Sequence, residues 1–555
     1  MAGATAQTFD FVVVGGGTAG CALAARLSES PTHTVCLLEA GGRDRHPFIV
    51  IPATVQAALN RPSLNWSFQT VPQPGLHGRR IPVPRGRVLG GSGSVNGMAY
   101  HRGHPRDYDD WARAGATGWS YDEVLPYFIR SENNENYPPS RYHGRGGPMN
   151  ICTPERPNPM TRDFITAARQ LGFPECRDFT GPPSEAEGVG IRQAVIRNGR
   201  RESTASAFLR PALRRSNLVV MTRARARRVL FSGRRAVGVE LVRGGETYQV
   251  IARQEIALCL GALQTPQLLM CSGVGDGASL AHLGIDVVKH LPGVGCNLQD
   301  HLAAPVRMIT HDSTSYGLSW RALPRGLSNA MEYLFTRRGP LAANVFEAAA
   351  FLRVDPAADR PDFQFVFQPW KPPTSRIPVP IGHGYGISPV LLYPKSRGRL
   401  SLESADPFAD PLIDPKLLSD PDDLPRMIDA VRLCRRMLAA PAFERYSGVE
   451  TLPGPRVQST EELAEFIRET AYTVHHPVGT CRMGSDPAAV LDPTLAVRGV
   501  ESLRVADASV FPSILGGNTN APVVMVAEKA ADLMLGRPPP ATAPLERTSA
   551  DPVTA

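Results

Sequence analysis

Three glycines and one acid near the start of the chain have the types and spacing to hold a pyrophosphate and a ribose. Gly15, Gly17 and Gly20 follow a Gly-x-Gly-x-x-Gly pattern. Glycines so spaced permit a tight turn, close backbone approach to phosphate oxygens and close packing of a helix on a strand. About twenty residues further on, Glu39 ends the apolar run Val35-Cys36-Leu37-Leu38, where a carboxylate can accept hydrogen bonds from ribose hydroxyls. FAD and NAD both carry an adenosine ribose, so the spacing alone does not choose between them.

Other chemistry-bearing stretches lie far away. Arg85 to Met98 holds five glycines and two serines, a backbone able to wrap a polar planar ligand or its phosphates. His475-His476-Pro477 sits between Val474 and the turn residues Gly479 and Gly484. Pro477 biases His476 toward extended backbone. Paired histidines invite a zinc reading, but only Cys481 lies near them at ligand spacing, and packed or surface histidines are the alternative. Near the end, Asn520 and Pro522 have the types of a helix start. The positive end of a buried helix could also stabilise an anion, including that of a reduced flavin.

The elements that must position these residues are legible around them. Phe9 to Val14 reads as a buried parallel strand, and Cys21 to Leu27, rich in alanine, as the helix that follows the glycine turn. Glu255 to Gly275 repeats strand, glycine turn and helix, with Pro266 opening that helix and Gly273 closing it. Helices are predicted over 122–132, 160–171, 424–438, 461–470 and 523–535, and strands over 218–221, 229–231 and 237–242. Alternation in Phe363 to Phe367 and in Gly398 to Leu402 predicts a mainly β region between about 303 and 465.

Composition excludes several function classes. The chain has 555 residues, 42% hydrophobic and 20% charged, with a net charge of +8, the balance of a multidomain globular protein. The basic cluster Arg223 to Arg228 lacks interleaved aromatics, so a solvated strand face is expected there and no nucleic-acid partner. Nine scattered cysteines without a close pair suggest buried thiols in a reducing cytoplasm and no metal site. No signal peptide or transmembrane segment is legible.

Taken together and in order, Gly15 to Glu39, Gly86 to Met98, Gly261 to Gly275, and His476 with Asn520 resemble the glucose-methanol-choline oxidoreductase family of FAD-dependent enzymes. The resemblance implies an α/β, two-domain fold: a doubly wound FAD-binding domain of the reductase type, assembled from separated segments, and a substrate domain on an antiparallel sheet. Carried over by position, Gly15, Gly17, Thr18, Ala19 and Gly20 would face the pyrophosphate, Glu39 the adenosine ribose and Ala226 the adenine. Gly90, Gly91, Asn96 and Gly97 would line the flavin, and Asp507 and Ala508 its ribityl and pyrophosphate portion, with Asp507 mainly structural. Val95 stands where some relatives attach FAD through histidine, so the FAD is expected to be non-covalent.

The same resemblance assigns proton abstraction from a primary alcohol to His476, with Asn520 as its partner and the hydride passing to flavin N5. His475 departs from the aromatic residue common at its position, and would shape the pocket or add a second titration. Glu347 would face a quaternary ammonium if the substrate were choline. Gly382 to Gly386 looks closer to relatives acting on aliphatic alcohols. A non-redox or photochemical relative, a lyase or a decarboxylase, is the further alternative. The electron acceptor, whether oxygen, quinone or carrier protein, is not encoded in any short motif. The expected division is an FAD-binding segment over 8–155 with a lid-like excursion over 43–84, a substrate-domain insertion over 156–190, FAD-binding over 191–302, substrate-binding over 303–465, FAD-binding over 466–536, and a disordered tail over 537–555.

Overall fold

Phe11 to Val14 is buried on every side, as expected of a parallel strand covered on both faces. In the computed structural model, which describes residues 7–371 and 381–541, the strand Gln7–Val14 lies inside a seven-stranded sheet. The order across it is Leu218–Thr222, Val35–Glu39, Gln7–Val14, Glu246–Leu258, Arg235–Arg243, Arg225–Ser232. The first four are parallel, the last two form an antiparallel extension, and Leu503–Val505 joins Glu246–Leu258 in parallel. Three distant stretches of chain thus share one sheet. The helix Thr18–Leu27 packs on the nearly wholly buried helix Asn520–Leu535. Arg26 pairs with the fully buried Glu528 of that helix at 2.8 Å.

The alternation in Phe363 to Phe367 produces a second sheet with two different faces. Its order is Val449–Leu452, Val306–Thr310, His383–Leu391, Phe363–Gln368, Ala348–Leu352, Gly188–Ile191, all antiparallel. Phe363, Phe365, Phe367, Tyr385 and Ile387 enter a core with the helices Pro159–Gln170, Asp423–Leu438 and Thr460–Thr470. Phe164 stacks on Phe367 at 5.0 Å and Tyr385 on Phe443 at 5.1 Å. Since side chains alternate along a strand, Gln364, Val366, Gln368, Ser388 and Val390 take the opposite face, which lines a cavity.

The helices expected over 122–132, 160–171, 424–438 and 461–470 lie within two residues of those found, whereas the first begins at Thr18 and the last at Asn520. The helix Gly261–Cys271 carries Pro266 inside it rather than at its start, and Pro105–Arg113 and Leu323–Thr336 are helices without a counterpart in the sequence reading. The basic cluster differs from expectation at Arg225. Its guanidinium lies between the rings of Trp66 and Phe408, 4.9 and 4.5 Å from their centroids, because the excursion over 43–84 brings Trp66 to the strand edge. The expected disordered tail lies, from residue 542 on, outside the described residues.

Candidate active site

A single cavity of about 840 Å³ runs from the glycine turn to the cavity-facing side of the second sheet. At one end the helix Thr18–Leu27 starts behind Gly17 with no side chain capping its N–H groups, so those donors and the helix dipole are free to meet phosphate. Gly15, Gly17, Thr18, Ala19 and Glu39 line this end. Gly20 does not; a Cβ there would stand 1.9 Å from the Gly15 carbonyl. Its part is helix-to-strand approach rather than the phosphate contact expected of it.

Glu39 accepts from the N–H groups of Gly16 at 2.9 Å and Gly41 at 2.6 Å. Burial nonetheless pushes its carboxyl up to about 7, and ribose hydroxyls would supply further donors to that desolvated group. Ala226 lines the cavity beside Trp66 and Arg225.

The second glycine-rich stretch lies directly on the first. Gly90 donates its N–H to the Gly16 carbonyl at 2.7 Å, and a Cβ on Gly91, at φ +54°, would meet the Gly17 Cα at 2.8 Å. Gly91, Val95, Asn96 and Gly97 line the cavity, whereas Gly90 sits behind it, a correction to its expected place. Asn96 is held by Arg201, whose Nη1 donates to its Oδ1 at 3.0 Å. Asp507 and Ala508 also line the wall. The Asp507 carboxylate accepts from Gly261 and Ser509 N–H, both at 2.8 Å, and from the Thr265 hydroxyl at 2.6 Å, so it ties its own turn to the start of the helix Gly261–Cys271. An uncapped helix start, a buried acid and side-chain-free turns fit a dinucleotide.

At the other end His476 is held on three sides. Its N–H donates to Asp300 Oδ1 at 2.7 Å, its Nδ1 lies 2.9 Å from Nδ1 of His301, and its Nε2 lies 3.2 Å from Nδ2 of Asn518. His301 Nε2 stands 3.0 Å from the carbonyl oxygens of both Leu392 and Leu515. Carbonyls only accept, so Nε2 of His301 carries the hydrogen and its Nδ1 accepts one from Nδ1 of His476. The remaining lone pair of His476 is therefore on Nε2. Burial, with the charges of His301, His475, Arg85 and Arg192, holds His476 well below the ordinary histidine value of 6.5, and burial brings His301 down to about 4. Both rings are neutral at pH 7.

The pairing of His476 with Asn520 is corrected by the fold. Asn520 is the first residue of its helix and does not cap it; its Nδ2 donates to Thr18 Oγ1 at 3.1 Å. Asn518, two residues earlier on irregular backbone, faces His476 instead. Arg192 Nη2 donates to Asn518 Oδ1 at 2.8 Å, which turns the amide so that its NH₂ points at His476.

His475 lines the cavity with left-handed backbone at φ +66°. Its carbonyl accepts from Arg85 at 2.7 Å, and its buried Nδ1 has no partner among the described residues. Burial lowers it to about 3, which removes the expected second titration near neutrality. Glu347 is fully buried and does not line the cavity. It accepts from Asn158 N–H at 2.8 Å and from the Thr161 and Tyr316 hydroxyls, both at 2.7 Å, so the ammonium role expected of it is not available. Among the described lining residues the only carboxylates are Glu39 and Asp507.

His301, Asn518, Arg192 and Asp300 escaped the sequence reading. His301 stands 175 residues from His476, and no spacing rule connects them. Asn518 lay within reach, since it shares the Gly516 to Asn520 loop with the residue chosen.

The sequence model of the GMC oxidoreductase family matches residues 9–303 and 394–527. An alcohol dehydrogenase (acceptor) of Pseudomonas putida is 43% identical over 529 residues, 95% of this chain and 96% of that protein. An oxygen-dependent choline dehydrogenase of Sinorhizobium medicae is 43% identical over 535 residues, 96% of each. Among solved structures, pyridoxine 4-oxidase from Mesorbium loti superposes with a TM-score of 0.85 at 33% identity, covering 95% of this chain and 99% of that one. A formate oxidase from Aspergillus oryzae does so with a TM-score of 0.87 at 27% identity, covering 96% and 99%.

Proposed function

The chain belongs to the GMC oxidoreductase family, an FAD-dependent oxidoreductase acting on CH–OH donors, and from that premise we propose that it oxidises an uncharged primary alcohol to the aldehyde with His476 as base. The observation that carries this reading is the fixed lone pair on His476 Nε2 at the cavity wall. A neutral imidazole there takes the hydroxyl proton. Taking it raises electron density on the oxygen and loosens the α-hydrogen as hydride. Asn518, turned by Arg192, donates to the same oxygen as charge grows on it.

The residues that would hold FAD are Gly15, Gly17, Thr18, Ala19, Glu39, Gly91, Asn96, Gly97, Ala226, Asp507 and Ala508, with Gly20 and Gly90 setting the turns behind them. Bound there, FAD supplies the hydride acceptor. Val95, buried on the cavity wall, offers no nucleophile, so the cofactor is held without a covalent bond and should leave with acid precipitation. The absence of a carboxylate among the described lining residues beyond Glu39 and Asp507 favours a neutral alcohol over choline. The division into FAD-binding and substrate segments expected from the sequence belongs to the same proposal. We place the protein in the cytoplasm on its buried thiols, Cys21, Cys36, Cys259, Cys434 and Cys481; no helix among the described residues is long and apolar enough to cross a membrane.

The test is anaerobic mixing of the yellow protein with a panel of primary alcohols and choline, following bleaching of the flavin band. Reduction by alcohols but not by choline is the expected result. Reduction by choline alone would overturn the substrate class, and no reduction by any alcohol would move the lyase or photochemical reading ahead. Readmitting air then sorts oxidase from dehydrogenase by the speed of recovery.

A further inference from the structure

Of the fourteen residues in the helix Leu323–Thr336, only Tyr333 is buried. Leu323, Leu327, Met331, Leu334 and Phe335 recur at three- and four-residue spacings, so they share one face. That face is open to solvent: the five are 60, 60, 52, 62 and 79% exposed, and Trp320 just before the helix is 79% exposed. Leu318 and Ile381, each more than half exposed, extend the patch and are joined by a backbone bridge. A contiguous apolar surface of this kind on a water-soluble fold marks a place where something docks.

We propose that this face seats the protein on the surface of an anionic phospholipid membrane. The rim decides between occupants. Between Leu318 and Arg338 the basic residues are Arg321, Arg325, Arg337 and Arg338. The only acid in that span, Glu332, is already ion-paired with Arg156. A second copy meeting this face across a two-fold axis would set the arginines against themselves, with no free carboxylate between Leu318 and Arg338 to pair them. Anionic head groups complement the same rim, and a helix with Trp, Leu and Phe on one side and arginine at its flanks has the pattern that lies in a membrane interface. Fourteen residues are too few to span the hydrocarbon layer, so the helix lies along it.

The patch adjoins the cavity. Ile309 and Lys371 line the cavity wall, Thr310 pairs with His383, and Ile381 lies two residues before His383. Seating on lipid would turn this mouth toward the bilayer, where apolar alcohols and lipid-soluble electron acceptors concentrate. The proposal rests on the surface and not on the assigned chemistry.

The holoprotein is to be centrifuged with vesicles of phosphatidylcholine alone and of phosphatidylcholine mixed with phosphatidylglycerol. Expected are sedimentation with the anionic vesicles, weakening as salt is raised, and at least about tenfold poorer partition for Leu327→Gln with Phe335→Gln. Arg321→Gln with Arg338→Gln should lose binding to the anionic vesicles by about tenfold. All these side chains are exposed, so the flavin spectrum and the oxidation of water-soluble alcohols should stay unchanged and certify folding. No greater sedimentation with anionic vesicles than without them would overturn the proposal. So would a dimer in analytical ultracentrifugation that the Leu327/Phe335 variant splits while vesicles remain unbound.

Discussion

The Nδ1 atoms of His301 and His476 lie 2.9 Å apart, and only one of them can hold the hydrogen between them. The carbonyls of Leu392 and Leu515, both 3.0 Å from His301 Nε2, settle which. They claim the hydrogen of His301, so His476 must donate from Nδ1 and keep Nε2 unprotonated, where its lone pair accepts from Asn518 Nδ2. A ring with this tautomer needs no tautomer change before it takes a proton; an alcohol hydroxyl has only to take the place of the Asn518 amide at Nε2.

Replacing His476 with Ala or Gln should slow anaerobic flavin reduction by about 10²–10⁴-fold. FAD should remain bound, because His476 stands at the far end of the cavity from the glycine turn. Stopped-flow absorbance separates the two effects. Reduction at the parent rate would remove His476 from the role of base.

His301→Ala should cost roughly 10–100-fold in the reductive rate, the scale seen when a group orienting a functional histidine is lost. The pH profile tells positioning from general damage. The base works in its neutral form, and its pKa is held below 6.5, so the parent rate should stay flat through pH 7 and fall only as pH drops through that lowered pKa. Without His301, water enters beside His476, and the acid limb should move up toward 6.5. Added imidazole should restore part of the rate. A lower rate with an unmoved acid limb and no rescue would leave His301 a packing residue only.

Asn518 and Asn520 should separate cleanly. Asn518→Ala removes the donor facing His476 and should lower kcat/KM by about 10²-fold or more while FAD affinity holds. Asn520→Ala breaks the bond to Thr18 Oγ1. It should weaken FAD retention by about 0.5–1.5 kcal/mol with the reductive rate in the loaded enzyme unchanged. Titration of apoprotein with FAD and single-turnover kinetics read these independently. The reverse pattern would restore the pairing first expected from the sequence.

Glu347→Gln should destabilise the fold by about 1–3 kcal/mol, since an amide NH₂ would be turned against the donors Asn158, Thr161 and Tyr316. Urea denaturation measures that loss. The ratio of KM values for choline and for an aliphatic alcohol should not change; a selective rise for choline would return Glu347 to the substrate site.

The sequence by itself determined the dinucleotide end and most secondary structure, because both are written in short range. A glycine at position 20 and an acid at 39 need only a strand, a turn and a helix to become a binding site. The alternation Phe363-Gln364-Phe365-Val366-Phe367 likewise carries its own two faces. What the sequence left undecided was the proton-handling end. His301, His476 and Asn518 come from three separate stretches, and their meeting depends on how the second sheet closes against the first. Whether Asn518 or Asn520 faces the histidine turns on where a helix begins, a matter of one or two residues that only packing against Thr18 fixes. Burial decided the rest: Glu347 has the chemistry of an ammonium ligand, but three donors inside the core claimed it first.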